Sequence, residues 1–263
     1  MRYLKLVGSF ARASTQNELA YRANFWISLL YALLNVGTGT IGLVVLFGQV
    51  KTVHGWDLPA TLALLGVYLT IGALRSLFIE PSLGALAGME GEIWTGRFDF
   101  TLLRPVNTQF LASLRYWRPL ALMDLVLGLG VLGIALTQLH QSVTLANLLT
   151  FLIALSAAVT IVYALLLALT ALVLWSPTFL FTWVFDAVFQ MARYPVGLYP
   201  GWLRLVLTWV IPVGMMTTIP AQALTGAIAP GLLLGSVALA AALFVGASAL
   251  FRFGLRRYAS ASS

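Results

Sequence analysis

Residues 145–174 read LANLLTFLIALSAAVTIVYALLLALTALVL, an apolar run without a single charged side chain. A helix needs about 20 mainly apolar residues to cross the hydrocarbon of a bilayer, and this run is long enough. Working outward, four more runs share its character. Residues 25–48 (FWISLLYALLNVGTGTIGLVVLFG) open on the interfacial pair Phe25 and Trp26. Residues 58–79 are entered through Asp57 and Pro59 and carry Arg75 near their end. Runs 119–139 and 230–252 complete the set, the last closed by Arg252, Arg256 and Arg257. The whole chain agrees, because its 263 residues are 60% hydrophobic and only 9% charged. A soluble domain carries roughly 25% charged residues. The chain therefore reads as an all-α membrane protein.

The stretch 175–229 is apolar but broken by Pro195, Pro200, Pro212 and Pro220. Each proline removes a backbone donor and disfavours helix in the residue before it. We read 177–194 as the fifth span and 195–229 as short re-entrant helices dipping into the outer leaflet. A competing reading makes 202–219 the fifth span and leaves 175–200 on the cytosolic surface. Both readings give six crossings in a single transmembrane domain, 1–263.

Basic residues orient these spans. Arg2, Lys5, Arg12 and Arg22 lie in the N-terminal segment, and Arg97, Arg104, Arg115 and Arg118 in the loop after the second span. Together with the three C-terminal arginines they fall on one side, which the positive-inside rule makes the cytosol. The outer loops hold Lys51, and Arg193 and Arg204 also fall outside in the first reading. Residues 1–24 lack the unbroken apolar core of a signal peptide. Leu4, Leu6, Val7 and Phe10 fit a short amphipathic helix lying on the membrane surface. The net charge of +7 is explained by these short clusters, so nucleic acid is not an expected partner.

Catalytic signatures are missing. The two lysines, Lys5 and Lys51, follow Leu4 and Val50, whereas a Walker phosphate loop needs lysine directly after glycine. There is no Gly-x-Ser-x-Gly turn, and with no cysteine there is neither a thiolate metal site nor a cysteine nucleophile. His54 and His140 lie in outer loops without an acidic cluster, so no metal site is expected. The chain reads as a non-enzyme with no cofactor of its own.

The loop 80–118, EPSLGALAGMEGEIWTGRFDFTLLRPVNTQFLASLRYWR, mixes charge with aromatics. It reads equally as a docking element or as an interfacial helix with snorkelling arginines. Its ordered residues Glu92, Gly96, Asp99, Leu102, Leu103 and Pro105 resemble the coupling helix of permeases in the ABC type-2 exporter superfamily. In that pattern an acidic start, a glycine, a second acid and paired leucines lead to a proline. The segment 194–226, YPVGLYPGWLRLVLTWVIPVGMMTTIPAQALTG, resembles the re-entrant helices of the same superfamily. Pro195, Pro200, Trp202, Leu203 and Pro212 match, as do Ala223, Leu224 and Gly226. Leu-Leu-Arg-Pro at 102–105 with the run from Asp186 to Pro195 looks most like a bacterial six-span branch without a fused ATPase. Many relatives carry an acid where this chain has Gln222, which puts in doubt a carboxylate role there. The resemblance implies two permeases, identical or related, joined to two cytosolic ATPase subunits that hold ATP and Mg, typically for export. It also implies a place in the bacterial inner membrane.

Carboxylates inside a membrane prompt functional hypotheses because they are costly there. Asp124 is expected to form an interfacial ion pair with Arg118 or Arg115. Arg75 can snorkel to the headgroups or pair with Glu80. Thr182, Asp186, Gln190 and Arg193 recur on one helix face, which must face the subunit interior, a partner subunit or a pathway. Arg193 is too far along a regular helix to reach Asp186, so Gln190 or a neighbouring subunit is expected to be its nearer partner. Tyr31, Asn35, Thr38 and Gly42 form a second polar stripe on the first span, suited to close helix packing. An alternative function from another class is a proton-coupled secondary transporter or channel using Asp124 and Asp186. An apolar path with few charges suits a lipid, a hydrophobic drug or a peptide alike.

Overall fold

The computed structural model of the chain describes residues 2–20, 22–139, 144–176, 181–226 and 228–258. Among these residues every regular element is a helix. Five helical stretches are long and apolar enough to cross a membrane: Ala23–Gln49, Leu58–Gly84, Pro119–Gln138, Leu145–Val173 and Pro230–Arg257. His140 lies outside the described residues.

The helices start where local chemistry supplies the donors and acceptors their ends lack. Helix α1 (Arg2–Leu19) is followed by α2 (Arg22–Gln49) and α3 (Leu58–Leu74). Asp57 caps α3 by accepting the Ala60 amide at 3.0 Å, with Pro59 in the first turn. A π-helical turn over Arg75–Ile79 carries α3 into α4 (Glu80–Gly84). Two short helices, α5 (Asp99–Leu102) and α6 (Thr108–Leu114), lead to α7 (Leu122–Gln138). Thr144 caps α8 (Leu145–Val173) through the Asn147 amide. Beyond it come α9 (Phe181–Met191), α10 (Gly201–Leu205), α11 (Val213–Leu224) and α12 (Pro230–Arg257).

Helix α3 is the hub. Residues 61–71 are buried without a break, whereas most of α2 is exposed, so α2 stands at the periphery with most of its surface uncovered. The α3–α7 pair depends on two glycines. A methyl group on Gly66 would lie 2.8 Å from the Leu132 backbone, and one on Gly128 would lie 2.9 Å from the Thr70 amide. Neither position can take a side chain without parting the helices. On the other flank α8 packs along α12, and α11 bridges α8 and α3.

Helix α1 lies against the loop end of this bundle. The Tyr3 and Phe110 rings meet edge-on at 4.8 Å, and Ser14 Oγ accepts the Trp117 amide. Glu18 accepts the Leu120 amide at 3.0 Å, capping the turn that opens α7, with Arg118 3.8 Å away.

The described residues of the 175–229 stretch form short helices separated by turns. Helix α9 is described over 11 residues, the central part of the first reading's fifth span. It stops before Pro195, and residues 177–180 lie outside the described part. The competing 202–219 segment is broken, since Gly201–Thr208 and Val213–Leu224 meet at 83°. A π-helical turn at Val206–Val210 and the missing amide of Pro212 account for the break. The segment from α9 onward nonetheless follows α3 from one end toward the other. Asp186 meets Arg75, Phe189 stacks on Tyr68 at 5.0 Å, and Gly197 lies near the His54 side chain. Thr217 of α11 then donates to the Ala192 carbonyl at 2.9 Å, tying the broken segment back onto α9.

Candidate functional site

Two polar places stand out in this apolar molecule. The first is the loop 80–118. Glu92 is buried and forms its centre, where Arg115 donates to both carboxylate oxygens at 3.0 and 3.3 Å. The Tyr116 hydroxyl donates to Glu92 at 2.6 Å, and burial together with that carboxylate raises the phenol pKa. Ser82 bonds the Tyr116 amide and carbonyl, fastening α4 to the strand of chain after α6. Gly96 turns the loop at φ +71, a conformation costly for any residue with a Cβ.

Phe98 is fully buried and meets Tyr258, just past α12, edge-on at 5.5 Å. Burial, and then the Asp99 carboxylate beside it, push the Tyr258 phenol up to about 12. Asp99 thus joins the loop to the end of α12. The tip of the loop is the opposite of its centre: Met89, Trp94, Phe100, Leu102 and Leu103 are exposed, Leu103 by 81%. Arg104 and Pro105 are exposed beside them. Five large apolar side chains exposed within one loop are the kind of surface that marks a protein contact.

The second place is a cavity of about 320 Å³ among α2, α3, α7 and α9. Asp186, Gln190 and Arg193 line it from one side, Tyr31 and Asn35 from another, and Tyr68, Arg75 and Asp124 complete its wall. The two polar stripes recognised on separate helices therefore face one space. Thr182 belongs to α9, but its side chain is outside the described part. Arg75 organises the loop-side end, bonding Asp186 at 2.6 Å and Glu80 at 3.1 Å. The rings of Phe185 and Phe189 lie 5.3 and 5.2 Å from its guanidinium carbon. Farther in, Arg193 donates to Asn35 at 2.7 Å and lies over the Tyr68 ring.

Three expectations change here. The partner of Asp186 is Arg75, which neither Gln190 nor another subunit has to replace; helix α3 brings it from far away in the sequence. Arg193 does not sit in an outer loop but beside Asn35, midway along α2, because the chain past α9 turns inward against α3. Asp124 forms no ion pair among the described residues, since Arg115 is taken by Glu92 and Arg118 lies against Glu18. Asp124 remains in the cavity wall instead.

Comparison with known families is decisive for the chain as a whole. The model for the ABC-2 family transporter protein matches residues 33–262. The chain belongs to the ABC-2 transporter family. It is a multi-pass membrane protein and a permease of an ABC transporter, a class that associates with ABC ATPase subunits. No curated protein matches it.

In this ABC-2 permease the residues singled out between the last spans serve as breaks. Pro200 precedes α10 and Pro212 precedes α11, while Pro195 opens the short turn at Val196–Leu198. Pro195 and Pro212 are buried, whereas Trp202 is 71% exposed. Leu203 is half-buried, and Ala223 and Leu224 pack inside beneath Gly226, whose φ is +72. Gln222 offers its carbonyl to Thr225. The residues that sequence reasoning missed are Arg115 and Tyr116 in the loop, Tyr258 just past α12 and Tyr68 in the cavity. An arginine or tyrosine near an interface carries no linear signal that it will close on a glutamate more than twenty positions away.

Proposed function

We propose that this permease forms the membrane path of an ATP-driven exporter, together with a second permease, identical or related. Cytosolic ATPase subunits, which carry the ATP and Mg, drive it through the loop 80–118. The basic end of the bundle, with α1, this loop and the C-terminus, faces the cytosol of a bacterium whose cytoplasmic membrane holds the complex. The observation that carries the reading is the exposed apolar tip, Met89, Trp94, Phe100, Leu102 and Leu103, held on a rigid base. Among the described residues nothing covers that tip, and it lies where the coupling helix of the superfamily would lie. Phe98 packs on the Tyr258 ring with Asp99 beside it, so a push on the loop reaches the end of α12 directly.

In the same reading the chain crosses a fifth time between 177 and 194, and 195–229 stays in the outer half. The contacts of Asp186, Phe189 and Gly197 with progressively more outward parts of the chain support this. The chain itself performs no hydrolysis. A proton-coupled transporter using Asp186 fits less well, since that carboxylate is already engaged by Arg75 at 2.6 Å.

Replacing residues 92–105 with a Gly/Ser linker tests the proposal in the assembled complex. Insertion into the membrane persists, while ATPase association and ATP-driven transport disappear. Full transport with the linker in place would refute it. Asp99→Lys is the milder version, expected to uncouple hydrolysis from transport.

A further inference from the structure

The cavity holds a cation that the described residues leave without an opposite charge. Arg193 lies midway along α2 and α3, judged by its bond to Asn35 and its place over Tyr68. A guanidinium at that depth is expensive and is ordinarily paired with an opposite charge. Its partners are an amide oxygen and an aromatic face. Among the described residues no carboxylate lies within ion-pair distance of it, and its Nε is buried without a hydrogen-bond partner.

The acids of the cavity do not fill this gap. Asp186 is roughly 10 Å nearer the loop end, at 1.5 Å per residue of helix, and is held by Arg75. Asp124 lies at the same end, because Gly128 one turn farther along α7 packs on Leu69 and Thr70. The polar chamber thus has its acids toward the loop and one uncompensated arginine in its depth. Its volume of about 320 Å³ is at the small end of ligand cavities, suited to a headgroup rather than a whole amphiphile. The neighbouring face of α2, with Leu30 and Leu34 more than half exposed, offers an apolar surface for a tail.

We propose that this cavity binds the anionic group, a phosphate or carboxylate, of an amphiphile, with Arg193 as the charge that recognises it. A guanidinium presents paired N–H donors that match two oxygens of such a group, which ammonium does not. The proposal rests on the exporter reading only in making this ligand the cargo; binding itself requires neither ATPase nor nucleotide.

The test uses the purified full chain in nanodiscs of neutral phosphatidylcholine, with radiolabelled dodecyl phosphate as the probe. Binding is saturable in the parent. Arg193→Gln weakens it roughly tenfold or more, the loss of a charged hydrogen-bonding group. Arg193→Lys, which keeps charge without the fork, falls between the two. Arg252→Gln, outside the cavity, leaves binding unchanged. Dodecyltrimethylammonium does not compete, and inorganic phosphate competes far more weakly than unlabelled dodecyl phosphate. Equal binding by Arg193→Gln, or equal competition by the cationic amphiphile, would overturn the proposal. Competition by inorganic phosphate as strong as by dodecyl phosphate would overturn its amphiphile component and make the ligand a soluble anion. A diazirine-bearing alkyl phosphate gives a readout on the parent chain alone, independent of how any variant folds. Labelling falls on α2 or on residues 186–197; labelling confined to α8 and α12 would contradict the site. Full ATP-driven transport with residues 92–105 replaced by the linker, and probe binding intact, would refute the exporter reading and leave this one standing.

Discussion

Arg115 and Arg193 are two arginines in opposite circumstances. In the loop, Arg115 meets a buried carboxylate that also accepts from Tyr116, and every charge in that knot has its opposite. In the cavity, Arg193 has an amide and a ring but no anion from the described chain. A closed network makes a rigid part, and an open one makes a binding part. The difference explains why Glu92, the first acid of the matched coupling pattern, is hidden, while the contact surface around it is apolar.

The largest effect that would break this comparison lies at the closed network. Glu92→Leu leaves Arg115 half-buried without its partner, and losses of about 3 kcal/mol follow when one member of such a pair is removed. Thermal unfolding in detergent, or protease sensitivity of the loop, reads the change; an unaltered melting curve would mean that the knot is not structural. A smaller effect belongs to Asp186, whose side chain is 40% exposed to the cavity. Asp186→Leu removes charge and hydrogen bond, but Arg75 keeps Glu80, so stability falls by about 1 kcal/mol or less. Asp186→Asn assembles normally. If Asn also transports normally, the carboxylate serves packing; if Asn and Leu both assemble and both fail, its charge serves transport.

Leu103→Glu sharpens the contrast from the other side. An exposed substitution of this kind changes stability by only about 0.5 kcal/mol, yet it places a charge in the middle of the docking tip and weakens ATPase co-purification. The smallest effect is a titration. The Tyr258 phenol, raised to about 12 by burial and then by Asp99, favours the folded state in its protonated form. That contribution is complete below pH 10 and fades as pH rises toward 12. A difference absorbance titration against Tyr258→Phe should show its step near 12; a step near 10 would mean that the phenol is not buried against the loop.

Much of this fold is legible in the residues because lipid imposes a simple rule on helices. Runs such as 145–174 announce themselves by length and lack of charge, and the basic clusters group the loops. The family pattern at 92–105 is legible too, though its partition into a hidden acid and an exposed tip is not. That partition depends on Arg115, which hydropathy treats as one more interfacial cation. The cavity was half visible. Periodicity marks the stripes of α2 and α9 separately, but only packing makes them face each other across Tyr68. Arg193 was the hardest to place, because a proline-broken segment can fold back at any of several points. Its depth is set by the neighbours it meets rather than by its distance from a span.

The most direct test of the central claim uses the absence of cysteine from the chain. Leu103→Cys, in a complex with its ATPase carrying single engineered cysteines around the nucleotide-binding domain's upper face, should crosslink rapidly with a short bifunctional reagent. The yield should change when ATP is added. A control cysteine at Gly201 should give no such product and should react instead with an impermeant reagent from outside. Crosslinking at 201 but not at 103 would place the docking surface at the wrong end of the molecule and contradict the account.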